Sequence, residues 1–351
     1  MRNLSTIRDS LLVEVCNRFI HKKEKPAVIA KWLSTKVEGR VTREQVYPLL
    51  REAVRRKLLV ILPPQSHRVT ERIVDRFFQG KSSDQIHVVE AGAHSARDLL
   101  PDYVANLIVT KILDLGGPNQ RVRVGLCGGT MIMWVAQSLA AQLSSVESLP
   151  KLGFHALTAG YSVHNPRTAP ITFLSLFDRV RTDIDYVGLF APPIVSSEEY
   201  DHVVTLPGVQ ESFKRAEEID IVVTSLAKAA DDHGELRGFL DLAGEPTKKS
   251  LKALEGRGWV GDLMYQPYSA KGPLINVTVQ IQPVSLFNLE GLRKMAKKRD
   301  KHVIVVAGPC TYCHATKTTA VRPLLENPDL KVWTDLVMDL TTAEELLAES
   351  R

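Results

Sequence analysis

Between residues 122 and 335 the chain alternates short apolar, β-branched runs with amphipathic ones, at 122–126, 132–143, 154–157, 171–177, 186–190, 219–226, 277–281, 289–297, 303–307, 318–325 and 332–335. A strand that is apolar on both faces must be covered on both faces. Helices inserted between successive strands do this, so the pattern predicts an α/β fold with a mostly parallel sheet. In such sheets ligands sit outside the carboxyl ends of the strands.

One strand-to-helix junction stands out. Arg121-Val122-Arg123-Val124-Gly125-Leu126 runs into Cys127-Gly128-Gly129-Thr130 and then the apolar run 132–143. Backbone N–H groups at such a helix start lack intrahelical acceptors. The glycines let an anion approach the backbone, the helix dipole favours negative charge, and Thr130 adds a hydroxyl, so the junction suits phosphate or carboxylate. It is neither a Walker A loop, lacking the Gly-Lys-Ser/Thr ending, nor a dinucleotide fingerprint. An ordinary tight turn is the competing reading.

The 351 residues exceed one ordinary core, and the charge is unevenly spread. Residues 1–80 carry 17 Lys+Arg against 8 Asp+Glu, whereas residues 81–351 carry 28 against 32. Clustered cations release counterions from polyphosphate, so a basic segment ahead of a mildly acidic domain points to nucleic acid. We therefore expect two domains, 1–80 and 81–351. No stretch has the length of a membrane span and the N-terminus lacks a signal-peptide pattern, so no membrane partner and a cytoplasmic location are expected. Four cysteines, Cys16, Cys127, Cys310 and Cys313, argue for reduced thiols rather than a disulfide framework.

Within the basic segment, Ile7, Leu11, Leu12, Val15, Cys16, Phe19 and Ile20 recur at helical spacing. Pro26 can start a second helix that buries Val28, Ile29, Trp32 and Leu33 before Gly39. Thr42 and Gln45 match a capping box for a third, with Val46, Leu49, Leu50, Ala53 and Val54 inward. Residues 58–62 read as a short strand before Pro63-Pro64. Three helices and a strand predict a winged helix-turn-helix whose third helix enters a major groove. Its outward residues Thr42, Arg43, Gln45, Tyr47 and Arg51 are the candidate DNA contacts, Arg suiting guanine and Gln adenine, with Arg55, Arg56 and Lys57 toward phosphates. A solvated helix face is the bland alternative.

Cys310-Thr311-Tyr312-Cys313-His314 spells a haem-attachment pattern, but no export signal accompanies it. Zinc could use Cys310, Cys313 and His314, with His164, His155 or Asp262 as a fourth ligand, although no second ligand pair is evident in the sequence. A dithiol switch is a further option. The expected state is a loop with two reduced cysteines, no metal and no cofactor. Asp231-Asp232-His233-Gly234-Glu235 invites an acid–base reading, yet by composition it is a polar turn.

Gly125-Leu126-Cys127-Gly128-Gly129-Thr130, then Leu206-Pro207-Gly208-Val209-Gln210, then Gly258-Trp259-Val260-Gly261-Asp262-Leu263, residues 303–308 with Lys317, and Val332-Trp333-Thr334-Asp335 with Ala343 form an ordered set. In order and approximate spacing, over residues 85–347, it resembles the landmarks of SorC-type (DeoR-like) sugar-binding transcriptional regulators. The resemblance implies a small winged helix-turn-helix domain joined to a larger Rossmann-like domain of the ribose-phosphate isomerase and glucosamine-phosphate deaminase type. It also implies operator DNA and a small phosphorylated sugar effector as partners, and a homo-oligomer, dimer or tetramer. Gly128, Gly129 and Thr130 match its phosphate loop, Asp262 an acidic position that meets sugar hydroxyls, and Lys317 a basic position that meets phosphate. Lys228 is a looser match. The sequence departs from that pattern at Pro309 to Thr316 and at Ala159 to Pro166. The alternative function is a sugar-phosphate isomerase or deaminase-like enzyme with a basic assembly domain, whereas a fused DNA-binding domain favours sensing over turnover.

Overall fold

The computed structural model describes residues 7–348 except 57, 61, 81–84, 93–94, 118–119, 161–164, 243–244 and 275–280. It divides into one unit of Met1–Leu62 with Ala141–Glu147 and a second of Pro63–Ala140 with Ser148–Arg351. The division falls earlier than the boundary expected after residue 80. The intervening helix, His67–Phe78, packs on Ile86–Val89 and on the helix Leu340–Ala348, both in the second unit.

In the first unit helices span Asp9–Ile20, Pro26–Ser34 and Val46–Arg55. Pro26 sits where a missing N–H costs nothing. Leu12, Val15, Ile29, Leu33, Val46, Leu49 and Ala53 close a shared core. The Gln45 side chain accepts from the Thr42 N–H at 2.8 Å, one half of the expected capping box. The strand expected at 58–62 is not formed among the described residues. Instead the Leu58 and Leu59 N–H groups donate to the Ala53 carbonyl at 2.9 and 3.3 Å, and both side chains pack on the helical core. An unfilled carbonyl at the helix end and two apolar side chains hold this segment back on the helix.

Strands of the second unit are β1 (Ile86–Val89), β2 (Arg121–Leu126), β3 (Lys151–Ala156), β4 (Ile184–Val187), β5 (Ile194–Ser196), β6 (Ile221–Lys228), β7 (Trp259–Leu263), β8 (Gln266–Ser269), β9 (Gly272–Pro273), β10 (Ile281–Pro283), β11 (His302–Ala307) and β12 (Asp335–Asp339). Seven form a parallel sheet in the order β1-β12-β11-β6-β2-β3-β4. Their interiors are mainly apolar, as in Val303, Ile304, Val305 and Val306, which are wholly buried, although polar residues such as His155, Thr224 and Asp339 are buried among them. The chain winds from β2 outward to β4, then returns to place β6 on the other side of β2. The β2/β6 boundary is therefore the topological switch point, where a crevice opens at the carboxyl ends. Beyond it the end of β6 pairs antiparallel with β7, and β8 and β9 extend that ribbon. The run expected at 277–281 lies mostly outside the described residues. No helix among the described residues is long and apolar enough to cross a membrane.

Candidate functional site

At the carboxyl end of β2 the chain turns through Cys127, Gly128 and Gly129 into the helix Thr130–Leu143. Gly129 adopts φ +113°, which only glycine reaches without strain. The Gly128 N–H donates to Thr158 Oγ1 at 3.1 Å and the Gly129 N–H to the Thr168 carbonyl at 3.0 Å. Both glycine amides expected to hold an anion are thus engaged inside the protein. Their role here is to shape the turn, and the amides from Thr130 onward are the ones a helix start leaves for a ligand.

Across the switch point the ribbon from β6 supplies an acid. Asp262 lies opposite Ala227 in register, and its side chain is only 6% exposed. Gly261 precedes it because a Cβ there would meet the Ala227 carbonyl oxygen at 2.8 Å and Tyr268 Oη at 2.7 Å. The β7–β8 hairpin closes through Met264 and Tyr265, both left-handed at φ +50° and +62°. Two positive φ values match the twist of a tight hairpin, at a cost of about 1–2 kcal/mol per non-glycine residue. That strain aims the Tyr265 hydroxyl at Glu235, to which it donates at 2.6 Å. Lys317, just before the helix Thr318–Glu326, donates from Nζ to the Leu226 carbonyl at 2.6 Å.

These groups share one cavity, lined among others by Thr130, Ser225, Glu235, Asp262, Tyr265 and Lys317. Burial pushes the Asp262 carboxyl up to about 8; the Lys317 ammonium pulls it down and the Glu235 carboxylate adds to the rise. Burial also raises Glu235, against the hydrogen bonds from Tyr265 and Thr168, and lowers Lys317. A mostly protonated Asp262 can both give and take a hydrogen bond, the behaviour a polyhydroxyl ligand needs. Lys317 and the Thr130 helix start provide a positive side for an anionic group.

Of the residues singled out in the sequence, Gly128, Gly129, Thr130, Asp262 and Lys317 line this cavity. Lys228 lines a neighbouring one with Asp231, Asp232, His233 and Cys313. By composition Glu235 belongs to a polar turn, whereas it opens the helix Glu235–Leu242 and faces the cavity. Nothing in the sequence marks Tyr265, whose hairpin turn carries none of the glycine that signals such turns. Cys310 and Cys313 approach neither His155 nor Asp262 as metal partners but Asp231 and His233. His155 is instead wholly buried in β3, its ring nitrogens without hydrogen-bond partners. His164 lies outside the described residues.

In the first unit Thr42 and Arg43 just before the third helix, Tyr47 in its first turn and Arg51 at its middle are exposed. Gln45 is half-buried and its carbonyl oxygen already accepts from the Thr42 N–H, so an adenine contact would have to share that oxygen. Arg55 and Arg56, expected on phosphates, hold Glu52, and Arg56 also reaches Asp9 at 2.8 Å and the Ile7 carbonyl at 2.7 Å. Lys57 lies outside the described residues.

The family described as "Putative sugar-binding domain" matches residues 76–348, most of the chain. No curated protein matches. Among solved structures, the full-length sorbitol operon regulator SorC from Klebsiella pneumoniae is similar at 16% identity and TM-score 0.59, covering 97% of this chain and 99% of that one. A DeoR family transcriptional regulator from Listeria monocytogenes is similar at 13% identity and TM-score 0.56, with 80% and 99% covered. A transcriptional regulator from Streptococcus pneumoniae TIGR4 reaches TM-score 0.58 at 13% identity, with 80% and 96% covered. At these identities the likeness speaks to the fold.

Proposed function

The chain belongs to the sugar-binding-domain family, with the fold of SorC-type regulators, and from that premise we propose that it is a transcriptional regulator whose second unit senses a small phosphorylated sugar. The observation that carries this reading is one cavity at the switch point that gathers the site's groups. It opposes a buried Asp262 to a positive side made by Lys317 and the helix start at Thr130. A sugar phosphate fits both: hydroxyls toward Asp262, Glu235 and Tyr265, phosphate toward Lys317 and the Thr130 amide and hydroxyl. Gly128 and Gly129 hold the loop that presents them. Lys228, in the adjoining cavity, is left out of the phosphate contacts in this reading.

Output would come from the first unit. Arg43 and Arg51, with Thr42 and Tyr47, are the exposed residues offered to operator DNA, and paired units in a homo-oligomer, dimer or tetramer, would read half-sites about one helical turn apart. The cavity then serves as a sensor and not as a catalyst. A sensor needs only an effector that binds one conformation better than the other.

Two measurements test the proposal. Fluorescence anisotropy with DNA from the region upstream of the gene should give salt-dependent binding that Arg43→Ala and Arg51→Ala weaken. Absence of such binding refutes the regulator reading. Sugar phosphates at about 100 times their dissociation constant should stabilise the protein by roughly 2.7 kcal/mol, and the unphosphorylated sugars by much less. A Thr130→Val, Lys317→Ala double variant that keeps the full stabilisation would show that the phosphate is bound elsewhere.

A further inference from the structure

The loop after β6 carries Asp231 and His233 as Asp-x-His, and the loop after β11 carries Cys310 and Cys313 as Cys-x-x-Cys. These strands are neighbours in the sheet, with Val306 opposite Ser225, so both loops leave the same edge side by side. One donor atom from each of Asp231, His233, Cys310 and Cys313 lies within 4.8 Å of all the others.

Local hydrogen bonds hold each pair in place. The Asp231 N–H donates to the Lys228 carbonyl at 3.0 Å, and the His233 N–H donates to Asp231 Oδ1 at 3.0 Å, which orients the carboxylate. On the other loop the Cys310 N–H donates to the Ala315 carbonyl at 2.8 Å and the His314 N–H to the Cys310 carbonyl at 3.0 Å. His314 takes φ +59°, which ends this turn, and it is not among the converging donors. Tyr312 lies against the His233 ring, centroids 5.1 Å apart, and ties one loop to the other.

We propose that Asp231, His233, Cys310 and Cys313 form a zinc-binding site in the wall between the sensor cavity and its neighbour. The donor set selects the metal. Two thiolates exclude the hard cations calcium and magnesium, and a four-donor set with sulfur, nitrogen and oxygen suits tetrahedral zinc. Zinc bonds of about 2.0–2.3 Å put tetrahedral donors roughly 3.3–3.8 Å apart, so inward movement of about 1 Å closes the site. Cys313 and His233 are exposed and can make that movement, and they give the ion an entry from solvent, while Cys310 is buried behind them. Charge is compensated locally. Two thiolates and a carboxylate around a divalent ion leave one negative charge, and Lys317 lines both flanking cavities. The assignment stands independently of the sugar-sensing reading, because it needs only the four donors and their geometry.

The test uses the full-length protein, purified under reducing conditions, loaded with zinc or cobalt and dialysed against metal-free buffer. Mass spectrometry of the metal should find about one zinc per chain, and the cobalt form should show sulfur-to-cobalt charge transfer with the visible bands of a tetrahedral site. Cys313→Ser and His233→Ala, both at exposed positions, should each lower affinity by more than the roughly 10–100-fold that loss of an outer partner costs. Cys310→Ser should do the same, and the exposed-site variants keep the test decisive if that buried substitution fails to fold. Cys16→Ser in the first unit should leave binding unchanged. The proposal is overturned if zinc is lost on dialysis, if the charge-transfer band survives unaltered in Cys313→Ser, or if Cys310 and Cys313 pair as a disulfide under these conditions and leave metal unbound.

Discussion

Asp262→Asn separates what the buried acid does for the fold from what it does for a ligand. The carboxyl ordinarily titrates near 3.8 but stands at about 8 in the folded protein, chiefly because of burial. Between these values the native state holds a proton that the unfolded chain releases, so stability falls as pH rises through that window. At pH 7 the penalty is 1.36 kcal/mol for each of about 3 pH units, or about 4 kcal/mol, and at pH 4 it is under about 1 kcal/mol. Asparagine fills the same space without a titrating proton. Even after roughly 1–2 kcal/mol is lost to burying its amide, the variant should gain about 2 kcal/mol at pH 7 and little at pH 4. For a unit of this size that is a rise in Tm of about 3–4 °C. Urea unfolding followed by tryptophan fluorescence measures it, since Trp134, Trp259 and Trp333 lie in the second unit and only Trp32 in the first. The same variant should lose the stabilisation given by sugar phosphates. A variant no more stable than the parent at pH 7, or one whose advantage is the same at pH 4 and pH 7, refutes this account of Asp262.

His155 should show the opposite pH dependence. Burial holds its imidazole down at about 4, helped by Arg123 and Arg215 and opposed by Asp185, so stability is present above pH 6.5 and is lost as pH falls toward 4. His155→Leu should therefore be about 2 kcal/mol more resistant than the parent at pH 5, and an unchanged acid limb in urea titrations would contradict it. In the first unit, Arg56→Ala removes hydrogen bonds to Asp9, Glu52 and the Ile7 carbonyl and, because the ion pairs are screened by solvent, should cost up to about 1 kcal/mol. Trp32 fluorescence reports that loss, and retention of full stability would mean that the Arg56 contacts are surface ornaments.

What was legible in the sequence follows from the range over which each signal acts. The helices Asp9–Ile20 and Pro26–Ser34 are carried by local periodicity and the strands β2, β3, β6 and β11 by short apolar runs, and their positions agree with these signals to within a few residues. No run of the alternating pattern reaches β1 at Ile86–Val89, and the buried Val332 and Trp333 draw the expected last strand to 332–335, just ahead of β12. Leu58 and Leu59, from an apolar run with strand composition, lie on a helical core instead, since contact with Ala53 and the surrounding side chains decides their conformation and composition does not.

The side chains of the site obey a different rule, because they converge through sheet order and not through spacing. Asp231-x-His233 reads as a polar turn and Cys310-x-x-Cys313 as half of a metal motif, and 76 residues of unrelated sequence separate His233 from Cys310. Each pair is inert alone. Only the adjacency of β6 and β11, itself a product of the reversal of strand order at β2, turns two half-motifs into four converging donors. The same reversal brings Asp262, at the end of the β6 ribbon, across from the helix that follows β2. A crevice at a switch point therefore collects residues whose chemistry is visible one by one in the sequence while their partnership is not. Thr130 is marked by its glycine turn and Asp262 and Lys317 by the resemblance to SorC-type regulators, whereas Glu235, Tyr265 and the pairing of Asp231 and His233 with the two cysteines follow from the order of the strands.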